Sequence, residues 1–419
     1  MIAKLPRAKR TRLDAYALGA LQPSRALEPV DAEQVAAVLR AANDAGEAVV
    51  VFGGGTLQHT SNAPSRYDVA LSTKRLAALH DYDPRDLTIG VGAGMTVAAL
   101  GAVLAEHGQF IPLDAPFPSR ATVGGTLAAG WAGPRRAAYG RARDLLIGAT
   151  VALADGTLAK AGGMVVKNVT GYDMGKLYVG SHGTLGVIVR ANFKLLPAPT
   201  TRRLAIAPFD EDLRARVVAH AGALAIEPVV LLAVDGFREA VPPARSRLIA
   251  LLEGSQPVVE RATRELRSAL GAAGIAETRL LDGPDAARAF QSLLDAYAGA
   301  ESADSVTFVA RGLPSDAALR AQHVRAALPR AETIADLRTG DVIVRVRDTS
   351  GAGSNDTAVP SIDRVVRRLL GRATVVCAGS TARVDAWGEP PSTIATMREL
   401  KTAFDPRGVL APGRFAGGI

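Results

Sequence analysis

Between Gly162 and Val189 the chain reads GGMVVKNVTGYDMGKLYVGSHGTLGVIV, seven glycines set among β-branched residues and the polar side chains Lys167, Asn168, Tyr172, Asp173 and His182. Glycine weakens helix and strand interiors alike, so a segment this rich in it needs tight turns or the close approach of another backbone or a ligand. Two more clusters share the character: Phe52-Gly53-Gly54-Gly55-Thr56-Leu57, directly after the apolar run AVVVF, and ATVGGTLAAGWAGP, Ala121 to Pro134. Consecutive glycines after a strand let backbone N–H groups turn inward as an anion nest, and no Cβ keeps a phosphate away. Thr56 adds a hydroxyl. One extended ligand touching all three clusters would account for them together.

Two familiar phosphate sites are excluded. A Walker A loop needs Gly-Lys-Ser/Thr after its spacer, and Gly53 to Thr60 holds no lysine. Gly90-Val91-Gly92-Ala93-Gly94 offers no G-x-G-x-x-G frame and reads as a strand-to-helix turn.

The 419 residues suffice for two large domains with a sizeable core. No apolar run approaches the roughly 20 residues of a membrane helix. The basic N-terminus develops no apolar h-region, so no secretory signal is read and a cytoplasmic location is expected. Cys377 is the single cysteine, which excludes an internal disulfide, a cysteine-based metal cluster and an iron–sulfur centre of the chain's own. The net charge of +8 is spread along the chain and aromatics are only 5%, too few for base-stacking platforms, so no nucleic-acid partner is expected.

Helical spacing over Asp31 to Ala45 runs into a buried strand ending at Phe52. Strands follow around Val69 to Ser72, Asp86 to Val91 and Ala149 to Ala154, with a helix from Val97 to Glu106 and a turn at Asp155-Gly156. Strands mixed with few short helices indicate an α+β domain. After Pro199 the glycines thin out. Helices are expected at Glu260 to Leu270 and Ala286 to Tyr297, strands at Ser305 to Ala310 and Asp341 to Arg347, and an exposed loop at Asp348 to Pro360. The organisation expected is a mobile basic N-terminus (1–24), a first domain (25–200), a second α+β domain (201–384) and a C-terminal segment (385–419) whose helix stops at Asp405-Pro406.

GGGT, then ATVGGTLAAGWAGPRRAAYGRARDLLIGATVALADG, then the opening stretch, and finally FDPRGVLAPGR resemble the FAD-linked oxidases of the vanillyl-alcohol oxidase (PCMH-type FAD-binding) superfamily, most nearly the FAD-binding subunit of glycolate oxidase. The likeness is strong over about 25–200 and clear over 398–415. It implies a two-lobed FAD-binding domain, a cap domain on the substrate side, and a C-terminal tail returning to the FAD domain. It also implies that Gly53, Gly54, Gly55, Thr56 and Leu57 wrap the pyrophosphate. Ser119, Ala121, Thr122, Gly124, Gly125, Gly130 and Gly133 would line the flavin and ribityl chain. Gly183, Gly186 and Ile188 would present backbone to FAD, with Arg414 arriving from the tail. Glycine at these points suits a long, doubly charged, planar cofactor.

Several positions depart from that pattern. Thr56 stands where covalent-flavin members often carry histidine, which favours non-covalent FAD and leaves His59 as the nearest imidazole. His182 stands where relatives often have Glu, and Ala411 where they have Asn. The catalytic 2-hydroxy acid dehydrogenases carry H-x-G-D-G-N-x-H around a divalent metal. The six histidines here, His59, His80, His107, His182, His220 and His323, all lie more than ten residues apart, so no such local site exists, no metal is expected, and no catalytic residue is assigned.

The function expected from the resemblance is the FAD-binding subunit of a glycolate (2-hydroxy acid) oxidase complex. Its partners would be a catalytic FAD-linked glycolate or D-lactate dehydrogenase subunit and an iron–sulfur subunit, with peripheral membrane association through the complex as an option. The alternative is a self-sufficient FAD-dependent oxidoreductase on D-lactate or glycolate, with Arg311 or Arg345 pairing the substrate carboxylate.

Overall fold

The computed structural model describes residues 13–165, 172–237, 246–298, 305–347, 355–377 and 384–419. Lys167 and Asn168 lie outside them, as does the first half, 1–12, of the expected mobile N-terminus. The chain divides into two compact units, Met1–Ala132 with Gly140–Ala198 and Asp385–Ile419, and Gly133–Tyr139 with Pro199–Val384. No helix among the described residues is long and apolar enough to cross a membrane.

The first unit is built on two main sheets. A parallel one takes the order β1 (Arg25–Leu27), β3 (Val69–Ser72), β2 (Val49–Phe52). The helix Ala32–Ala45 feeds it: the Asp31 carboxylate caps its start by accepting from the Gln34 amide at 2.7 Å, and Gly46 closes it at φ 68°. Val35, Val38, Leu39 and Ala42 form the buried stripe of that helix. They pack with Val49, Val69 and Leu71 of the sheet. The free edge of β2 is taken by the tail, since the Val49 amide donates to Val409 O at 2.8 Å and the Ala411 amide to Val49 O at 2.9 Å.

An antiparallel sheet follows in the order β4 (Leu79–Asp83), β5 (Thr88–Gly92), β9 (Val187–Lys194), β7 (Leu146–Ala152), β8 (Leu158–Gly162). A small pair joins β6 (Gln109–Phe110) to β10 (Leu196–Pro197). The Gly90 to Gly94 run does turn a strand into a helix, with Thr96 capping Val97–Ala105 through the Ala99 amide at 3.1 Å. A Cβ on Gly92 would sit 2.1 Å from Leu76 O, so that glycine serves backbone packing.

Among the described residues the second unit carries one antiparallel sheet of eight strands. Their order is β14 (Arg279–Asp282), β11 (Thr201–Phe209), β13 (Ser246–Gly254), β12 (Val230–Asp235), β16 (Ala331–Asp336), β17 (Val342–Arg347), β15 (Ser305–Ala310) and β18 (Ala373–Cys377). Helices Gln256–Ala272, Gly283–Tyr297 and Ala317–Ala327 pack on it through apolar stripes. The loop expected over Asp348 to Pro360 is corrected over its last part, where a helix runs Asn355–Leu370 with Pro360 inside it. Val359 just before the proline and Val366 and Leu370 after it, all buried, keep one helical face through it.

A buried ion network ties five elements of this unit. Asp235 Oδ1 accepts from Arg214 Nη2 at 2.5 Å and Ser246 Oγ at 2.7 Å, and Oδ2 accepts from Arg325 Nη1 at 2.6 Å and Thr333 Oγ1 at 3.2 Å. Glu211 also accepts from Arg214 at 2.7 and 2.6 Å and from Arg325 at 3.0 Å, so truncating Asp235 leaves one partly exposed carboxylate to serve two guanidinium groups. Asp235→Ala is expected to lower unfolding free energy by about 3–5 kcal/mol, read by urea denaturation of the second unit's transition. A loss near zero would show that the network is replaceable by water.

Candidate functional site

The loop after β2 packs on the turn before the helix Val123–Ala128. A Cβ on Gly53 would lie 2.0 Å from Thr122 Oγ1, and one on Gly54 would lie 1.7 Å from Arg120 O, so only glycine lets the two segments meet. Thr122 caps the helix, its Oγ1 accepting from the Gly125 amide at 3.2 Å. The His182–Ile188 segment enters from the other sheet, tied to the same helix where the His182 amide donates to Ala128 O at 2.8 Å.

These segments line an open cleft. Gly53, Gly54, Gly55, Thr56, Leu57, Thr122, Gly124, Gly125, Gly183, Gly186, Ile188 and Arg414 all line it. Ser119, Ala121, Gly130 and Gly133 do not line it. Ser119 is exposed. Ala121 is buried, its amide bonded to Phe117 O at 2.8 Å. Gly130 abuts Gly180, where an added Cβ would stand 2.8 Å from Cα. Gly133 falls in the second unit. His59 is not at the cleft either. Tyr172, 94% exposed, and Lys176, paired with Asp173 at 3.1 Å, are surface residues away from it.

The lining also contains residues that no sequence pattern singled out: Val51, Gln58, Thr73, Ala128, Ala129 and Val187. His182 lines it as well, its backbone in the left-handed region at φ 53°. Its ring is held edge-on to Trp387 at 5.0 Å and near Phe415 at 5.9 Å, while Trp387 Nε1 donates to Arg414 O at 2.9 Å. The only signal for this group lay in isolated aromatics of the tail.

Charge in the cleft is one-sided. Among the described residues no carboxylate lines it, and Arg414 is its one cation. The guanidinium is 3% exposed, donates from Nε to Ser61 Oγ at 3.1 Å and from Nη2 to Gln58 O at 2.5 Å, and leaves Nη1 buried without a protein acceptor. Burial pulls its pKa down to about 10, which leaves it charged at neutral pH. Among the described residues, the amides of Gly53 to Leu57 donate to no protein atom. Five free amides, an unmatched guanidinium nitrogen and the absence of carboxylates fit a pyrophosphate-bearing cofactor.

Burial, reinforced by the Arg414 charge, holds the His182 pKa at about 3 against 6.5 for the free imidazole. The ring is therefore neutral at physiological pH. Between those two values the unfolded chain binds the proton and the folded chain does not, so stability is present above pH 6.5 and is lost as pH falls toward 3. The expected slope from this group approaches about 1.4 kcal/mol per pH unit, and His182→Gln should flatten it in denaturant titrations run across that window. An unchanged slope would show that the imidazole is solvated.

In the second unit Arg345 is not open to a ligand, which corrects one expectation. It is 6% exposed, pairs with Glu332 Oε2 at 2.6 Å and lies 3.9 Å over the Phe237 ring. Arg311 is exposed.

Residues 23–162 match the family model described as an FAD binding domain. Glycolate oxidase subunit GlcE of Escherichia coli (strain K12) is 41% identical over 120 residues, 28% of this chain and 34% of that protein. D-lactate dehydrogenase of Archaeoglobus fulgidus is 34% identical over 183 residues, 44% of this chain and 41% of that one. The chain spans about half or less of the length of the curated relatives it matches. In fold it resembles 4-ethylphenol oxidase from Gulosibacter chungangensis, with a TM-score of 0.74 at 16% identity over 97% of this chain and 93% of that one. The matched segment, residues 23–162, contains the glycine loop and the capped helix that shape the cleft and is an FAD binding domain, and the shared fold extends over nearly the whole length.

Proposed function

We propose that the protein is the FAD-binding subunit of a 2-hydroxy acid oxidase complex, handling electrons between a catalytic flavoprotein subunit and an iron–sulfur subunit, with glycolate or D-lactate as the complex's substrate. The observation that carries the cofactor assignment is the cleft itself, with its free amides at Gly53 to Leu57 and the unmatched Nη1 of Arg414. Gly53 to Leu57 and Arg414 would hold the pyrophosphate and other polar edges of FAD, and Gly183, Gly186 and Ile188 its planar part. Bound there, FAD supplies redox chemistry that no side chain can provide. Thr56 in place of a histidine supports non-covalent attachment. The similarity to GlcE supports the subunit role, and the lack of an H-x-G-D-G-N-x-H motif in the sequence agrees with it.

The second reading, a self-sufficient 2-hydroxy acid oxidoreductase, is supported by the similarity to D-lactate dehydrogenase. Anaerobic mixing of the purified chain with glycolate or D-lactate separates the two. The subunit reading predicts that the flavin absorbance persists with either acid until the partner subunits are added. Rapid bleaching by the chain alone would establish the second reading instead.

A further inference from the structure

Lys401 lies outside the cleft, yet its ammonium is the point where two of the cleft's segments are joined. Nζ donates to Thr184 O at 2.9 Å, to Leu410 O at 2.8 Å and to Asp405 Oδ2 at 2.6 Å. An ammonium has three N–H donors, so the group is saturated. Thr184 lies in the loop whose Gly183 and Gly186 line the cleft, and Leu410 lies four residues before Arg414. Asp405 is fixed in turn by the amides of Val409 at 3.0 Å and Leu410 at 2.7 Å, and its side chain is fully buried. From there the tail runs along β2, turns, and fastens the segment after the glycine loop: the Ser65 amide donates to Pro412 O at 2.8 Å and the Asn62 amide to Arg414 O at 3.2 Å.

We infer that Lys401 is a positioning residue for the cofactor, setting the distance between the Gly183 loop and the Arg414 tail across the cleft. This rests on the cleft being the FAD site. A charge with three fixed acceptors holds backbone more stiffly than apolar packing does, because removing it leaves two buried carbonyls and a carboxylate to be satisfied elsewhere. Burial has already pulled the Lys401 pKa down, as expected of an ammonium kept charged at a cost by these acceptors.

Arg66 provides the comparison. It also holds the tail, with Nη2 donating to Gly408 O at 3.0 Å and Nη1 to Gly46 O at 3.1 Å, but it is exposed and has no bond to the Gly183 loop. The experiment measures FAD Kd by quenching of flavin fluorescence and the melting temperature of the FAD-free protein, for Lys401→Met and Arg66→Met. A positioning role predicts FAD binding weaker by about tenfold or more in Lys401→Met than in Arg66→Met. In a Cys377→Ser background, Lys401→Cys alkylated with 2-bromoethylamine should recover that affinity. If Lys401→Met does not fold, Lys401→Gln gives the same comparison. Equal FAD affinities in the two variants, or alkylation that restores melting but not affinity, would overturn the inference. Failure of the unaltered protein to take up FAD would instead overturn the cofactor reading beneath it.

Discussion

Gly54→Ala is expected to give a folded protein that no longer retains FAD. The added Cβ would stand 1.7 Å from Arg120 O and 2.5 Å from its carbonyl carbon, and backbone cannot swing aside as a flexible side chain can. Relief has to come from the loop lifting off the turn that carries Thr122, which moves the five unbonded amides of Gly53 to Leu57 together. Losing two or three charge-assisted contacts at about 1.5–3 kcal/mol each weakens binding by more than about 100-fold, measured by FAD titration. Gly101→Ala is the matched control. Gly101 is exposed within the helix Val97–Ala105 and has nothing within 4 Å of its added Cβ, so FAD affinity should hold while stability rises by about 0.5–1 kcal/mol. If Gly54→Ala keeps its flavin, the loop is not a cradle.

The second large effect is expected at Arg414. Arg414→Met removes the only cation lining the cleft among the described residues and frees Ser61 and the Gln58 carbonyl, both on the segment following the glycine loop. One charged hydrogen bond to the cofactor lost, together with looser support of that loop, predicts a Kd raised by about 10- to 100-fold. Arg414→Lys keeps the charge but not the planar fork that spans Ser61 and Gln58, and should recover only part of the loss. Equal affinity in Arg414→Met and the unaltered protein would place the anionic part of FAD elsewhere.

Where the sequence announced the structure, it did so through local contrast. VVVF followed by three glycines is a buried strand that must end in open backbone, and Gly53 to Leu57 do line the cleft. Asp31, Thr96 and Gly46 punctuate their helices because capping chemistry is local. Glycine also has a second use. Gly130 is small because another backbone passes close by, and a sequence does not distinguish that from an approaching ligand. Gly133 was placed with its neighbours in sequence, although Gly133–Tyr139 packs with the second unit through Arg136 on Asp341 at 2.8 Å and Tyr139 on Glu253 at 2.9 Å.

Long-range partners left no trace of their own. Arg345 looked like a free clamp for a carboxylate, but β16 pairs with β17 so that Glu332 stands opposite it. His182 meets Trp387 and Phe415 across some two hundred residues, and Lys401 meets Thr184 across 217. These contacts depend on where the tail returns. The FDPRGVLAPGR motif signalled that return without saying which side chains it would deliver.

The account stands on FAD occupying the cleft of the first unit, and the absorption spectrum of the purified chain before and after denaturation tests it most directly. A flavin spectrum, with free FAD released on unfolding in a one-to-one ratio and lost from Gly54→Ala, is the predicted result. A colourless chain that takes up no added FAD would contradict it.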